Sequence, residues 1–214
     1  MPLQIADALA GDIIEGRFSP GERLNEVQLA ARWGVSRSPL REALRILEKR
    51  GMVVLTPQLG ARVTALSLDE VDQLFEMRAV LVGLASRRAA ARIDANSARR
   101  LDTMLLNLER SLHNAERYER ASAATTKEIA VIGGSPPLIE MIESFAHRIG
   151  RYARMGLDSA ARRRTSIGHW RLLVETLQAG DADRAEAIQR RLALDNRDEA
   201  VKVLRRKISD HSPA

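Results

Sequence analysis

Residues 25–60 read NEVQLAARWGVSRSPLREALRILEKRGMVVLTPQLG, and the local chemistry of this stretch dictates two short helices, a tight turn and a hairpin. Asn25 suits a helix cap, with Gln28 three residues on, where it can reach back to the cap. Leu29 and Ala30 fall on the inner side. Gly34 supplies the left-handed residue that ends the helix, and Val35 plugs the turn. Ser38 followed by Pro39 reads as a second cap with proline at the first helical position, where its missing N–H is harmless. The second helix then runs to about Arg50 and stops at Gly51. Leu40, Ala43, Leu44 and Leu47 form one apolar stripe on it. Arg37, Arg41 and Arg45 recur every four residues and form a separate stripe. After it, β-branched residues lie on both sides of Pro57-Gln58-Leu59-Gly60, which suits a short hairpin over 52–65 turning at Gly60. Together these make a winged helix-turn-helix, which lays one helix in the DNA major groove.

The chemistry of the arginine stripe fits that geometry. A guanidinium bonds two acceptors on a guanine edge at once, or grips a phosphate bidentately. Ser36 and Ser38 at the helix start can donate to phosphate, beside backbone N–H groups and the positive end of the helix dipole. The alternative is a solvated helix face salt-bridged to Glu42 and Glu48. At the wing, Leu59 is a poor phosphate ligand, so contacts there would use backbone N–H groups, Gln58 or Arg62. A purely structural hairpin closing the small core is the other reading.

Ahead of this stretch, a helix over about 3–15 carries Ile5, Leu9, Ile13 and Ile14 and leads into a turn at Phe18-Ser19-Pro20-Gly21. The first domain therefore covers 1–66. From 67 to 214 the texture changes to long helices rich in alanine and arginine. Ser67-Leu68-Asp69-Glu70 is a capping box opening a helix to about Arg92, with apolar positions Val71, Leu74, Met77, Val80, Leu81 and Leu84. Asn96 or Ser97 caps the next. Others span about 117–132, 138–156 and 166–178, and Gly180-Asp181 starts the last, to about Lys207. No strand pattern follows the wing. The fold class is thus mainly α, a winged helix-turn-helix followed by an all-α antiparallel bundle.

The formal charge of +6 and a sequence pI near 10.4 suit an anionic partner. Much of the excess lies in Arg162-Arg163-Arg164 and Arg205-Arg206-Lys207, which read as solvated charge serving solubility or weak nonspecific attraction. Cysteine is absent, which removes disulfides and thiol catalysis and fits a reducing cytoplasm. No apolar run approaches the roughly 20 residues that cross a bilayer, so no membrane partner is expected. A helical enzyme would need convergent acid, base or nucleophile groups, and the second domain offers no paired carboxylates, Ser/His/Asp set or phosphate loop. A winged-helix module for protein or RNA contact, without an operator, is the rival class.

The run PGERL at 20–24, then NE, LA and GVSRSPLREALRILEKRGMV, with a glycine in the wing and Val63 after it, resembles the bacterial GntR family of transcription regulators. The resemblance implies DNA contacts at Ser36, Arg37, Ser38, Arg41 and Gly60, with Arg45 added from the stripe. Many members carry arginine where this chain has Val27, and a basic residue where it has Leu59. In the second domain LFEMRAVLVGLASRRAAARI, GGSPPLI and GHWRLLVETLQAGDADRAEAIQRRL resemble the FadR-like branch with its FCD domain. That resemblance implies a bundle binding a small effector, commonly a carboxylate metabolite, that alters DNA affinity, with repression and release as the commoner habit.

Many FCD domains hold a divalent metal with one aspartate and three histidines. The matching positions here are Ala123 and Lys127, then His169, then Arg191 or Leu192. One imidazole cannot make a tight site, so no metal or other cofactor is expected. Lys127, Arg78 and His169 are the candidate effector ligands, against a surface lysine and a bundle-internal salt bridge for the first two. His113 and His147 read as ordinary helix residues. One recognition helix reads few base pairs, so a homodimer on a pseudo-palindromic duplex operator is expected, held mainly by the second domain.

Overall fold

The computed structural model describes residues 1–210. The chain separates into two compact units, the first Met1–Ser67 and the second from Leu68 onward.

The first unit holds three helices and a small sheet. Helix α1 spans Pro2–Ile14, α2 spans Glu26–Trp33 and α3 spans Arg37–Lys49. Asn25 Oδ1 accepts from the backbone N–H groups of Val27 and Gln28 at 3.0 and 3.2 Å, which satisfies two of the orphan donors opening α2. Gly34 closes α2 at φ +62°, the left-handed value that releases the chain into the turn. The N-cap of α3 is Ser36, not Ser38, so Ser38 and Pro39 lie in the first turn. The reason is general: none of the first-turn N–H groups has an intrahelical acceptor, so proline is as harmless at the third position as at the first.

Strands β1 (Arg23–Leu24), β2 (Val53–Thr56) and β3 (Gly60–Val63) pair antiparallel in the order β1-β3-β2. Arg23 lies opposite Arg62, and Thr56 opposite Gly60 across the wing turn. Strand β1 was not expected from sequence. Two residues pairing with a partner far along the chain carry no local periodicity. Leu9, Leu24, Leu40, Ala43, Leu44, Leu47 and Ala61 are all buried at the junction of helices and sheet. The inward stripe of α3 is thereby fixed, and its outward stripe with it.

The second unit is helical: α4 Leu68–Ala90, α5 Ala95–Arg110, α6 Ala115–Gly133, α7 Pro136–Met155, α8 Ala160–Gln178 and α9 Ala182–Asp210. The cap of α5 is Asp94, not Asn96 or Ser97; its carboxylate accepts from Ser97 N and Ser97 Oγ at 2.7 and 2.6 Å. Helix α8 begins two turns earlier than expected because Ser159 caps it, accepting from Arg162 N at 3.0 Å. The long helices α4 and α9 approach closely: a Cβ on Gly83 would fall 2.5 Å from Arg190 Cγ. On α4 the inner face is Val71, Leu74, Phe75, Ala79, Val82 and Ala85. Met77, Val80 and Leu84, expected among the apolar positions, are exposed, at 47%, 51% and 43%.

Candidate nucleic-acid interface and helical-domain cavity

Arg37, Arg41 and Arg45 all stand on the exposed side of α3. Arg41 Nε donates to Glu26 Oε2 at 2.9 Å, and Arg45 Nη1 to Glu42 Oε1 at 2.8 Å. Both arginine side chains remain about two-thirds exposed, at 64% and 66%, so these pairs are weak and a phosphate can displace them. Glu48 does not pair with the stripe; it accepts from Leu55 N in β2 at 3.3 Å. Among the described residues Arg37 has no hydrogen bond or ion pair, and neither the Ser36 nor the Ser38 hydroxyl is engaged. The head of α3 therefore presents one unpaired guanidinium, two unengaged hydroxyls and the positive end of a helix.

Between α3 and the wing lies a cleft of about 710 Å³, whose walls include Arg23, Arg41, Arg45, Thr56, Gln58 and Gly60. Gly60 holds φ +82° and Gln58 φ +65°, so the wing tip turns through two left-handed residues. Leu59 is exposed at the tip, and Arg62 Nη1 donates to Gly21 O at 3.0 Å. Arg41, Arg45 and Gly60 thus share one cleft, while Ser36, Arg37 and Ser38 lie outside its lining, at the start of α3. Arg23 was not singled out from sequence. Its place in PGERL was the only signal, and the β1 pairing that brings it to the cleft is non-local.

In the second unit a cavity of about 50 Å³ lies among α4, α6, α7, α8 and α9. Of the three effector candidates, Arg78 lines it. Lys127 does not: its ammonium pairs with Glu143 on α7 at 2.6 Å and its side chain is 61% exposed. His169 is not part of the lining either; its Nδ1 lies 3.5 Å from Asp195 Oδ2. Ala123, at the position matched to a metal-binding aspartate, does line the cavity.

The reading of Arg162-Arg163-Arg164 as solvated charge needs correction. Arg163 is buried and donates to the carbonyls of Leu112, Leu157 and Asp158 at 2.8, 2.7 and 2.7 Å. Arg162 lines the cavity and only Arg164 is exposed. A run of like charges on a helix distributes over more than one face at 100° per residue, and only the packing of the other helices decides which side is wet. Burial lowers the affinity of the Arg78 and Arg162 guanidiniums for their protons, partly countered by Glu119 for Arg78 and by Asp195 for Arg162.

A winged helix-turn-helix with an outward guanidinium stripe, joined to a helical unit with a polar cavity, defines a DNA-binding regulator with a ligand-sensing domain. The chain belongs to the GntR family. The family model described as "Bacterial regulatory proteins, gntR family" matches residues 2–63, and the FCD domain model matches 73–195. It is 34% identical over 145 residues to the HTH-type transcriptional regulator YdhC of Bacillus subtilis (strain 168), spanning 68% of this chain and 60% of that relative. It is 31% identical over 150 residues to the HTH-type transcriptional repressor GlaR of Escherichia coli (strain K12), spanning 67% and 68%. Among solved structures, E. coli McbR/YncC superposes with a TM-score of 0.84 at 23% identity, over 97% of this chain and 98% of that one. The protein is a transcription regulator whose DNA binding answers to a small-molecule effector.

The divalent metal common in FCD domains does not suit this donor set. The polar walls of the cavity are guanidinium, amide and hydroxyl groups with one carboxylate, Glu119. Among the described residues no three His, Cys, Asp or Glu side chains come together as a metal site. Among the described residues no helix is long and apolar enough to cross a membrane.

Proposed function

We propose that the protein is a cytoplasmic, non-enzymatic repressor that binds a pseudo-palindromic operator as a homodimer and releases it when a small carboxylate occupies the FCD domain, with no metal required. The observation that carries the DNA reading is the unpaired Arg37 beside the unengaged hydroxyls of Ser36 and Ser38. A buried core side on the same helix holds them outward. Arg37 reads base edges. Arg41 and Arg45 grip phosphates from the cleft, and Gly60 lets the wing backbone approach the duplex. Repression follows the name carried by GlaR.

Dimerisation is supported by Met77, Val80 and Leu84, spaced at three and four residues along one face of α4 and exposed. Two recognition helices related by a two-fold axis double the number of bases read. The test is electrophoretic shift of the full chain on duplexes tiling the DNA beside its own gene, against scrambled duplexes, at two salt concentrations. A shifted band that survives competition by scrambled DNA is expected. Equal retention of every duplex, or of none, would overturn the reading and favour a protein- or RNA-contact module.

A further inference from the structure

We propose that the cavity of the second unit is a metal-free receptor for a small carboxylate, in which Arg162 on α8, assisted by Arg78 on α4, takes the place of a cation. The inference deepens the effector reading above and rests on it.

All three guanidinium nitrogens of Arg162 are hidden from solvent and none has a hydrogen-bond acceptor; Nε of Arg78 is in the same state. Gln189 is 2% exposed with an unpartnered Oε1. Ser122 Oγ and Asn196 Oδ1 are also unpartnered, while Asn196 Nδ2 donates to Ala153 O at 3.2 Å. These groups line one space. A buried charged donor without an acceptor costs several kcal/mol, and such groups are retained where something else completes them.

Sequence neighbours sharpen the point. Arg163 uses its guanidinium to hold three carbonyls, so its burial is structural. Among the described residues Arg162 has no hydrogen-bond acceptor. The acidic groups that act on it, Asp195 and Glu199, are engaged elsewhere: Arg191 lies 2.5 Å from Asp195, and Lys202 lies 3.4 Å from Glu199.

Size and shape define the ligand class. A volume of about 50 Å³ accommodates roughly three to five water-sized groups. A planar fork matches two coplanar oxygens. Trp170, Leu157 and Leu192 supply an apolar wall for a short carbon stem. Glu119 repels a dianion, which favours a monocarboxylate, and offers an acceptor to a ligand hydroxyl.

The experiment is a calorimetric and thermal-shift titration of the full chain with acetate, glycolate and propionate. Acetamide serves as the neutral isostere and inorganic phosphate as the rival anion, each with and without chelator. Saturable binding of acetate or glycolate that chelator leaves unchanged is expected, with little response to acetamide. Arg162→Gln should weaken it at least tenfold, and Arg162→Lys should restore part. Ligand-free Arg162→Gln should melt no lower than the parent, because a merely structural arginine would leave a less stable protein. Ala123→Leu, which fills the cavity with both arginines intact, should also abolish binding, and it stands in if Arg162→Gln fails to fold. An equal response to acetamide, tighter binding of phosphate, a metal requirement, unchanged affinity in Arg162→Gln, or no saturable ligand overturns the proposal. Retained preference for one duplex then shows that only this inference has failed, whereas loss of duplex preference in the parent protein counts against the regulator reading itself.

Discussion

Arg41 Nε donates to Glu26 Oε2 across 2.9 Å, so the middle arginine of the α3 stripe is tethered to the first turn of α2. The tether aims the guanidinium into the cleft between α3 and the wing, and it also places a carboxylate there. An exposed pair of this kind contributes at most about 1 kcal/mol to stability, while the carboxylate repels any phosphate that enters. Glu26→Gln should therefore leave the melting temperature nearly unchanged and raise affinity for operator and scrambled duplexes alike, by a few-fold at low salt. Fluorescence anisotropy across a salt series reads both effects; a loss of affinity would mean that aiming matters more than charge.

Among the described residues Arg37 has no partner, so removing it costs the fold little and costs recognition directly. Arg37→Ala should lower operator affinity by roughly 1–3 kcal/mol and relax base preference at one position per half-site. Equal losses on operator and scrambled DNA in a competition assay would make it a phosphate ligand instead.

Gly60 opens β3 at φ +82°, a value that strains a residue bearing a Cβ. Space is not the obstacle, since the nearest atom to an added Cβ is Arg23 Nε at 3.9 Å. Gly60→Ala should cost roughly 1–2 kcal/mol of first-unit stability from backbone strain alone. Urea unfolding followed by a first-unit probe such as Trp33 fluorescence measures it.

Arg163→Met would strip a buried guanidinium donor from three carbonyls at the α5–α6 and α7–α8 connections, of which that of Leu157 is buried. Hydrogen bonds to a charged donor contribute about 1.5–3 kcal/mol each and are not additive, so a loss of about 3–5 kcal/mol is expected in the second unit. The contrast with Arg162→Gln, next to it in sequence and expected to be neutral or stabilising without ligand, is visible in one set of thermal melts.

The Ser97 hydroxyl and backbone N–H hold the Asp94 carboxyl below its usual 3.8. A depressed carboxylate contributes stability that is complete above the unfolded value and is lost as pH falls through the lower folded one. Asp94→Asn keeps an acceptor at the cap of α5 but cannot titrate. Its melting temperature should fall less steeply than the parent's between about pH 5 and pH 2.

What was legible in the sequence was what is chemically local. Asn25, Gly34 and Gly51 mark the ends of the α2 and α3 segments by caps and left-handed turns, and the leucine and arginine stripes of α3 follow from one period. Ser36 rather than Ser38 opens α3 because proline tolerates the whole first turn, so it points to a helix start without fixing it. Strand β1 has no signature of its own; Leu24 pairs with Ala61, far along the chain, and both are buried in the same core. The cavity was the least legible element. Which of three consecutive arginines is wet depends on five other helices, and Lys127, weighed as either an effector ligand or a surface lysine, ends in a surface ion pair.

One turn of α4 faces two ways. Arg78 reaches inward to the cavity, while Met77 and Val80 on either side of it are exposed. Anything that draws the guanidinium toward an occupant tugs the same backbone from which those two apolar side chains project.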